Sequence, residues 1–107
     1  MQRGELVTVA LKGDYGKPRP ALVIQSDLFA AHPSVTIMPV TSELRDTPLF
    51  RFDIAPTEAN GLKHPSQVMI DKIHTVGRDR VGRVIGGLEE EQMVSVNRLM
   101  MIFLGLA

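Results

Sequence analysis

An arginine held between two prolines, Arg19 in KPRP, is the first feature of this chain able to do chemistry. A guanidinium keeps its charge at any working pH, and its planar fork matches the oxygens of a phosphate or a carboxylate. Stiff backbone on both sides means that such a side chain loses less freedom when it grips an anion. On residue pattern alone, the plainer reading is a loop arginine that pairs with a carboxylate such as Asp14. Thr41 and Ser42 offer neighbouring hydroxyls in PVTSEL, where a Thr-Ser pair ordinarily caps a turn. His32, His64 and His74 supply proton carriers for neutral pH, but they are too scattered to suggest a metal site. Cysteine is absent, which removes thiol nucleophiles, thiolate metal sites and disulfides. Lys12, Lys17, Arg78, Arg80 and Arg83 remain as possible phosphate contacts.

These residues must be positioned by a chain of 107 residues, long enough for one domain spanning 1–107 with a modest core. Twelve basic and twelve acidic residues cancel, so any polyanion would have to be held by a local patch. No tryptophan, one tyrosine and four phenylalanines give no obvious base-stacking platform. The longest apolar run, LMMIFLGLA at the C-terminus, is far shorter than the ~20 residues a membrane helix needs. Charges come too early in MQRGELVTVALKG for a signal peptide, so a soluble, cytoplasmic protein with no membrane partner is expected.

ELVTVAL (5–11) alternates as a strand, and GDYGKPRP breaks it with glycines and prolines. PALVIQS (20–26) is nearly continuously apolar, as a strand buried on both faces would be. DLFAAHP makes a single helical turn, and SVTIMPV (34–40) is a third strand that ends at Pro39. LFRFDI (49–54) alternates as a fourth, and Asn60-Gly61 marks a turn. SQVMIDKIHTV (66–76) makes a fifth strand, bent near Asp71, and RVGRVIG a short sixth. Beyond Gly86-Gly87, Met93, Val96, Met100 and Phe103 recur at helical spacing, widened by Leu99, with glutamates in the first turn and Gly105 as a stop. Five or six short strands and a C-terminal α-helix predict a mainly β fold, a small bent sheet or barrel with the helix packed on it.

MQRGELVTV, KPRPALVIQSD, IMPVTSEL, PSQVMIDKIHTV and VNRLMMIFLGL, in that order along most of the chain, resemble the MazF/PemK toxin family. The resemblance implies an SH3-like β-barrel that forms homodimers. It also implies a type II toxin: a metal-independent, cofactor-free endoribonuclease cutting single-stranded RNA to 2′,3′-cyclic phosphate and 5′-hydroxyl ends. A cognate antitoxin, whose acidic tail occupies the cleft, is the implied partner.

By the same resemblance, Arg19 matches the family's key arginine and Thr41 its catalytic threonine. Ser42 is either a second phosphate-facing hydroxyl or a turn cap. Lys17 is a supporting cation in the Arg19 loop. Asp14 matches an acidic residue some members carry, in a loop that is shorter here; His64 falls where some members carry a basic residue near the RNA. Gln67 either reads a base edge or satisfies backbone groups at a strand start, and Ser66 replaces an aspartate that many members have before that glutamine. His74 reads as packed or exposed and not catalytic. Two other readings use the same fold: a poison that binds DNA gyrase as CcdB does, and an inactive antitoxin-binding barrel. The C-terminal MMIFLGLA is only loosely like the gyrase-binding segment and lacks its tryptophan.

Overall fold

The computed structural model describes residues 1–11 and 17–107. Asp14 and Lys12 lie outside the described residues. Among the described residues there are seven strands: β1 (Glu5–Ala10), β2 (Pro18–Val23), β3 (Ser34–Thr41), β4 (Arg51–Ile54), β5 (Ser66–Met69), β6 (His74–Gly77) and β7 (Val81–Gly87), followed by helix α1 (Glu90–Phe103). They pair antiparallel in the order β4-β5-β3-β2-β1-β7, and β6 pairs with the first half of β3. Among the described residues β4 and β7 remain the two ends of that path, so the expected barrel is a curled but open sheet.

The count exceeds six because residues 66–76 do not form one bent strand. Ile70–Lys72 makes a turn of 3-10 helix with Ile70 buried, and this splits the segment into β5 and β6 at the expected bend. Consequently β3 meets two partners in succession, β6 across Ser34–Ile37 and β5 across Val40–Thr41. Pro39 therefore does not end β3. It sits in the break between those partners, where a missing N–H removes no ladder bond on that side.

Both faces of the central strands are buried. Leu6, Leu22, Met38, Val40 and Val68 face α1 with Met93 and Val96. The alternate residues Val7, Val9, Ala21, Val23, Val35, Ile37 and Val76 close a second cluster on the opposite face of these strands. This accounts for the unbroken apolar run after Pro20. Each such side chain contributes about 1.5–3 kcal/mol of transfer free energy, so the two layers hold the sheet in its curl.

Asn60 supports the turn before β5 from inside. Its side chain accepts from the Thr57 and Leu62 N–H groups and donates to the Ala55 carbonyl, all at 2.9–3.0 Å. Gly61 beside it has φ +69, and a Cβ there would lie 2.0 Å from the Ile85 carbonyl oxygen. At the start of α1, Glu89 and Gln92 form a reciprocal capping box. At its end, Gly105 has φ +74, its N–H bonds Ile102 O at 3.1 Å, and Leu106 N–H bonds Met101 O at 2.8 Å. That double closure terminates the helix where the glycine predicted a stop. Phe103 does not share the buried stripe, being 48% exposed, because the last turn of α1 runs past the core. Arg3 ties helix to sheet: Nη2 donates to Asn97 Oδ1 at 2.6 Å and Nε to Ile24 O at 2.9 Å.

Candidate active site

β1 ends, β2 starts, β3 ends and β6 starts at one rim of the curled sheet, and an open groove of about 880 Å³ lies there. Arg19, Thr41, Ser42, His64 and His74 all line it, so this surface gathers side chains from four separate parts of the chain. Lys63 and Lys72 add positive charge, and Glu43 and Asp71 oppose it. Asp71 Oδ2 lies 3.6 Å from Lys72 Nζ.

Register explains why Arg19 and Thr41 share the groove. The β2–β3 ladder pairs Val23 with Ile37, Leu22 with Met38 and Ala21 with Pro39. The ladder ends at that last pair, and Arg19 and Thr41 each lie two residues beyond it, towards the groove they both line. Arg19 is anchored by its pairing with Val9 of β1. The two prolines thus flank a residue whose backbone is already paired to β1.

Thr41 Oγ1 accepts the Glu43 N–H at 3.0 Å. This is the turn-capping bond, and it leaves the hydroxyl proton to be donated. Capping and phosphate contact are therefore compatible in one side chain. Ser42 is exposed on the same turn. His64 is exposed, and Ser66 Oγ donates to its carbonyl oxygen at 2.8 Å, so Ser66 fixes the His64 backbone.

The remaining candidates are placed elsewhere. Lys17 is exposed one residue before β2 and is outside the groove lining. Gln67 is 5% exposed and its amide is fully engaged within the chain. Its Oε1 accepts from Arg45 N–H and Arg51 Nη1, both at 3.0 Å. Its Nε2 donates to Arg45 O at 2.9 Å and to Asp53 Oδ1 at 2.7 Å. Those four bonds clamp the loop after Thr41 against β5. Arg78 is likewise used internally, donating to the carbonyls of His32 and Ala30. Arg80 borders a shallower hollow next to the groove, shared with Leu11 and His74.

His74 is exposed, one of the two placements expected for it, and it lines the groove, as do Lys63 and Lys72, which the sequence did not single out. The strand pattern around His74 hides that it is the first residue of β6 and so lies at the rim. Among the described residues, no group of three or more His, Asp or Glu side chains gathers as a metal site.

A guanidinium and a hydroxyl lining one open groove, on the rim of a small curled antiparallel sheet, define the candidate site. The model of the PemK-like, MazF-like toxins of type II toxin–antitoxin systems matches residues 2–104, and the chain belongs to that family. It is 47% identical over 108 residues to the probable endoribonuclease MazF of Mycolicibacterium smegmatis, covering all of this chain and 99% of that one. Among solved structures it is similar to the Mycobacterium tuberculosis toxin MazF-mt6, at 25% identity and a TM-score of 0.83, with 96% and 98% of the two chains covered. It shares its fold with a mycobacterial endoribonuclease in complex with its cognate antitoxin, at 22% identity and a TM-score of 0.83, over 100% and 97% of the chains.

Proposed function

We propose that this protein is the toxin of a type II toxin–antitoxin pair and that it cleaves single-stranded RNA at the groove containing Arg19 and Thr41. The observation that carries the reading is the single groove that Arg19 and Thr41 line together. In metal-independent cleavage the 2′-hydroxyl attacks its own phosphorus and the 5′-oxygen leaves, giving a 2′,3′-cyclic phosphate and a 5′-hydroxyl. Negative charge grows on the phosphoryl oxygens as the fifth bond forms. Arg19 meets that charge with a charge-assisted, forked set of donors, and the Thr41 hydroxyl donates to a neighbouring oxygen. Lys63 and Lys72 attract the flanking phosphates.

The partners follow from family membership and from the surface. An antitoxin segment with acidic residues would compete for the same cationic groove. A second copy of the chain would cover the apolar end of α1, where Ile102, Phe103, Leu104 and Leu106 are all exposed. Action on RNA fits a cytoplasmic location. Among the described residues no helix is long and apolar enough to cross a membrane. The test is to incubate the protein with long single-stranded RNAs in excess EDTA and to map the fragment ends. Discrete cuts with cyclic-phosphate and 5′-hydroxyl ends are expected. Intact RNA together with inhibition of DNA gyrase would replace this reading by the gyrase poison; intact RNA with untouched gyrase would replace it by the inactive binding barrel.

A further inference from the structure

We infer that His74 is the general base of the groove, taking the proton from the attacking 2′-hydroxyl. The inference rests on the reading of this groove as the site of RNA cleavage. Its first support is position. His74 pairs with Ile37, so it lies on the face of β3 that also carries Pro39 and Thr41, and it lines the groove with Arg19. Its second support is the tautomer. His74 Nδ1 is 3.0 Å from the carbonyl oxygen of Lys72. A carbonyl only accepts, so Nδ1 must carry the proton, and the neutral ring then holds its lone pair on Nε2. The bond to Lys72 orients the ring as well as choosing the tautomer. The opposite arrangement occurs at His32, whose Nδ1 accepts the Ser34 N–H at 3.1 Å and is used up in a turn away from the groove.

The other ionisable groups lining the groove suit different tasks. Arg19, Lys63 and Lys72 are cations; Asp71 turns Oδ2 towards Lys72 Nζ at 3.6 Å, and its Oδ1 is buried, out of reach of a 2′-hydroxyl in the open groove. Glu43 is exposed on the turn, and Ser66 brings no carboxylate. His64 shares the groove, but the bond from Ser66 fixes only its backbone. In the proposed step, the proton of the 2′-hydroxyl passes to His74 Nε2 as the 2′-oxygen pair forms the new bond to phosphorus. The bond from phosphorus to the 5′-oxygen breaks with its electron pair. The departing oxygen is protonated by water in the open groove, and His74 returns its proton to solvent.

Single-turnover cleavage in EDTA tests this with wild type, His74→Ala and His64→Ala, on a short RNA containing a mapped cleavage site. A matched RNA with sulfur in place of the bridging 5′-oxygen is cut in parallel, because a thiolate leaves without needing an acid. His74→Ala is expected to lose on the order of 100-fold or more in rate. Its affinity for a 2′-deoxy, uncleavable RNA stays within about threefold of wild type. The defect persists on the sulfur substrate, and added imidazole restores part of the rate. A defect below about tenfold, one explained by weaker binding, or one that vanishes with the sulfur leaving group overturns the assignment. Wild type that cuts no RNA would instead overturn the cleavage reading itself.

Discussion

Replacing Gln67 by alanine is predicted to unlock the loop that carries the groove's hydroxyls. The amide makes four hydrogen bonds: two to the backbone of Arg45, one to the Arg51 guanidinium and one to the Asp53 carboxylate. Neutral bonds are worth about 1 kcal/mol net and bonds to charged groups about 1.5–3 kcal/mol. The full set would therefore approach 5 kcal/mol or more. Arg45 and Asp53 are exposed, however, and water can take over their lost bonds, whereas Arg51 is half-buried. The net loss should accordingly be about 2–3 kcal/mol, or roughly 10–20 °C in Tm for a domain of this size. Gln67→Glu should do no better at neutral pH. It removes the two amide donors and sets a carboxylate against Asp53 Oδ1, now 2.7 Å from Nε2. Urea unfolding with an unchanged m-value is the assay, and RNA end-mapping on the same variants reports the site. A stability loss below about 0.5 kcal/mol, joined to a changed cleavage sequence, would refute the clamp and show that the amide reads RNA.

Three further outcomes are expected. Gly61→Ala should cost at least about 2 kcal/mol in chemical denaturation, because the new methyl meets the Ile85 carbonyl and the positive φ strains any side chain. Arg3→Ala should cost about 1–3 kcal/mol by removing the link between Asn97 and Ile24, again read from the denaturation midpoint. Ile102→Glu and Phe103→Glu should shift light-scattering mass towards the monomer with little change in the Tm of the isolated fold, since both side chains already lie outside the core.

Local patterning made the strands legible, because alternation records which face is buried. It misled wherever a long-range partner decided the outcome. Pro39 looked like a strand end, yet β3 passes through it, since β5 and β6 leave a break at that position. Phe103 has the right helical phase but no sheet beneath it. The gap at Asp71 was visible as a bend, while the burial of Ile70 that turns it into a 3-10 step was not. Arg19 and Thr41 stood out singly as residue types in unusual contexts. That they line one groove depends on β2 lying beside β3, which no spacing within either segment encodes. His74 was legible only as packed or exposed, because its place on the rim follows from its pairing with Ile37 at the start of β6.

The most direct test of the account is a double-mutant cycle on RNA cleavage, with Arg19→Ala, Thr41→Val and the pair measured under single-turnover conditions in EDTA. If both side chains act on one phosphate, each single change should cost on the order of 100-fold or more, and the double should be scarcely worse than the poorer single. Costs that simply multiply would mean that the two residues act independently, and an Arg19→Ala protein that still cuts would contradict the central claim.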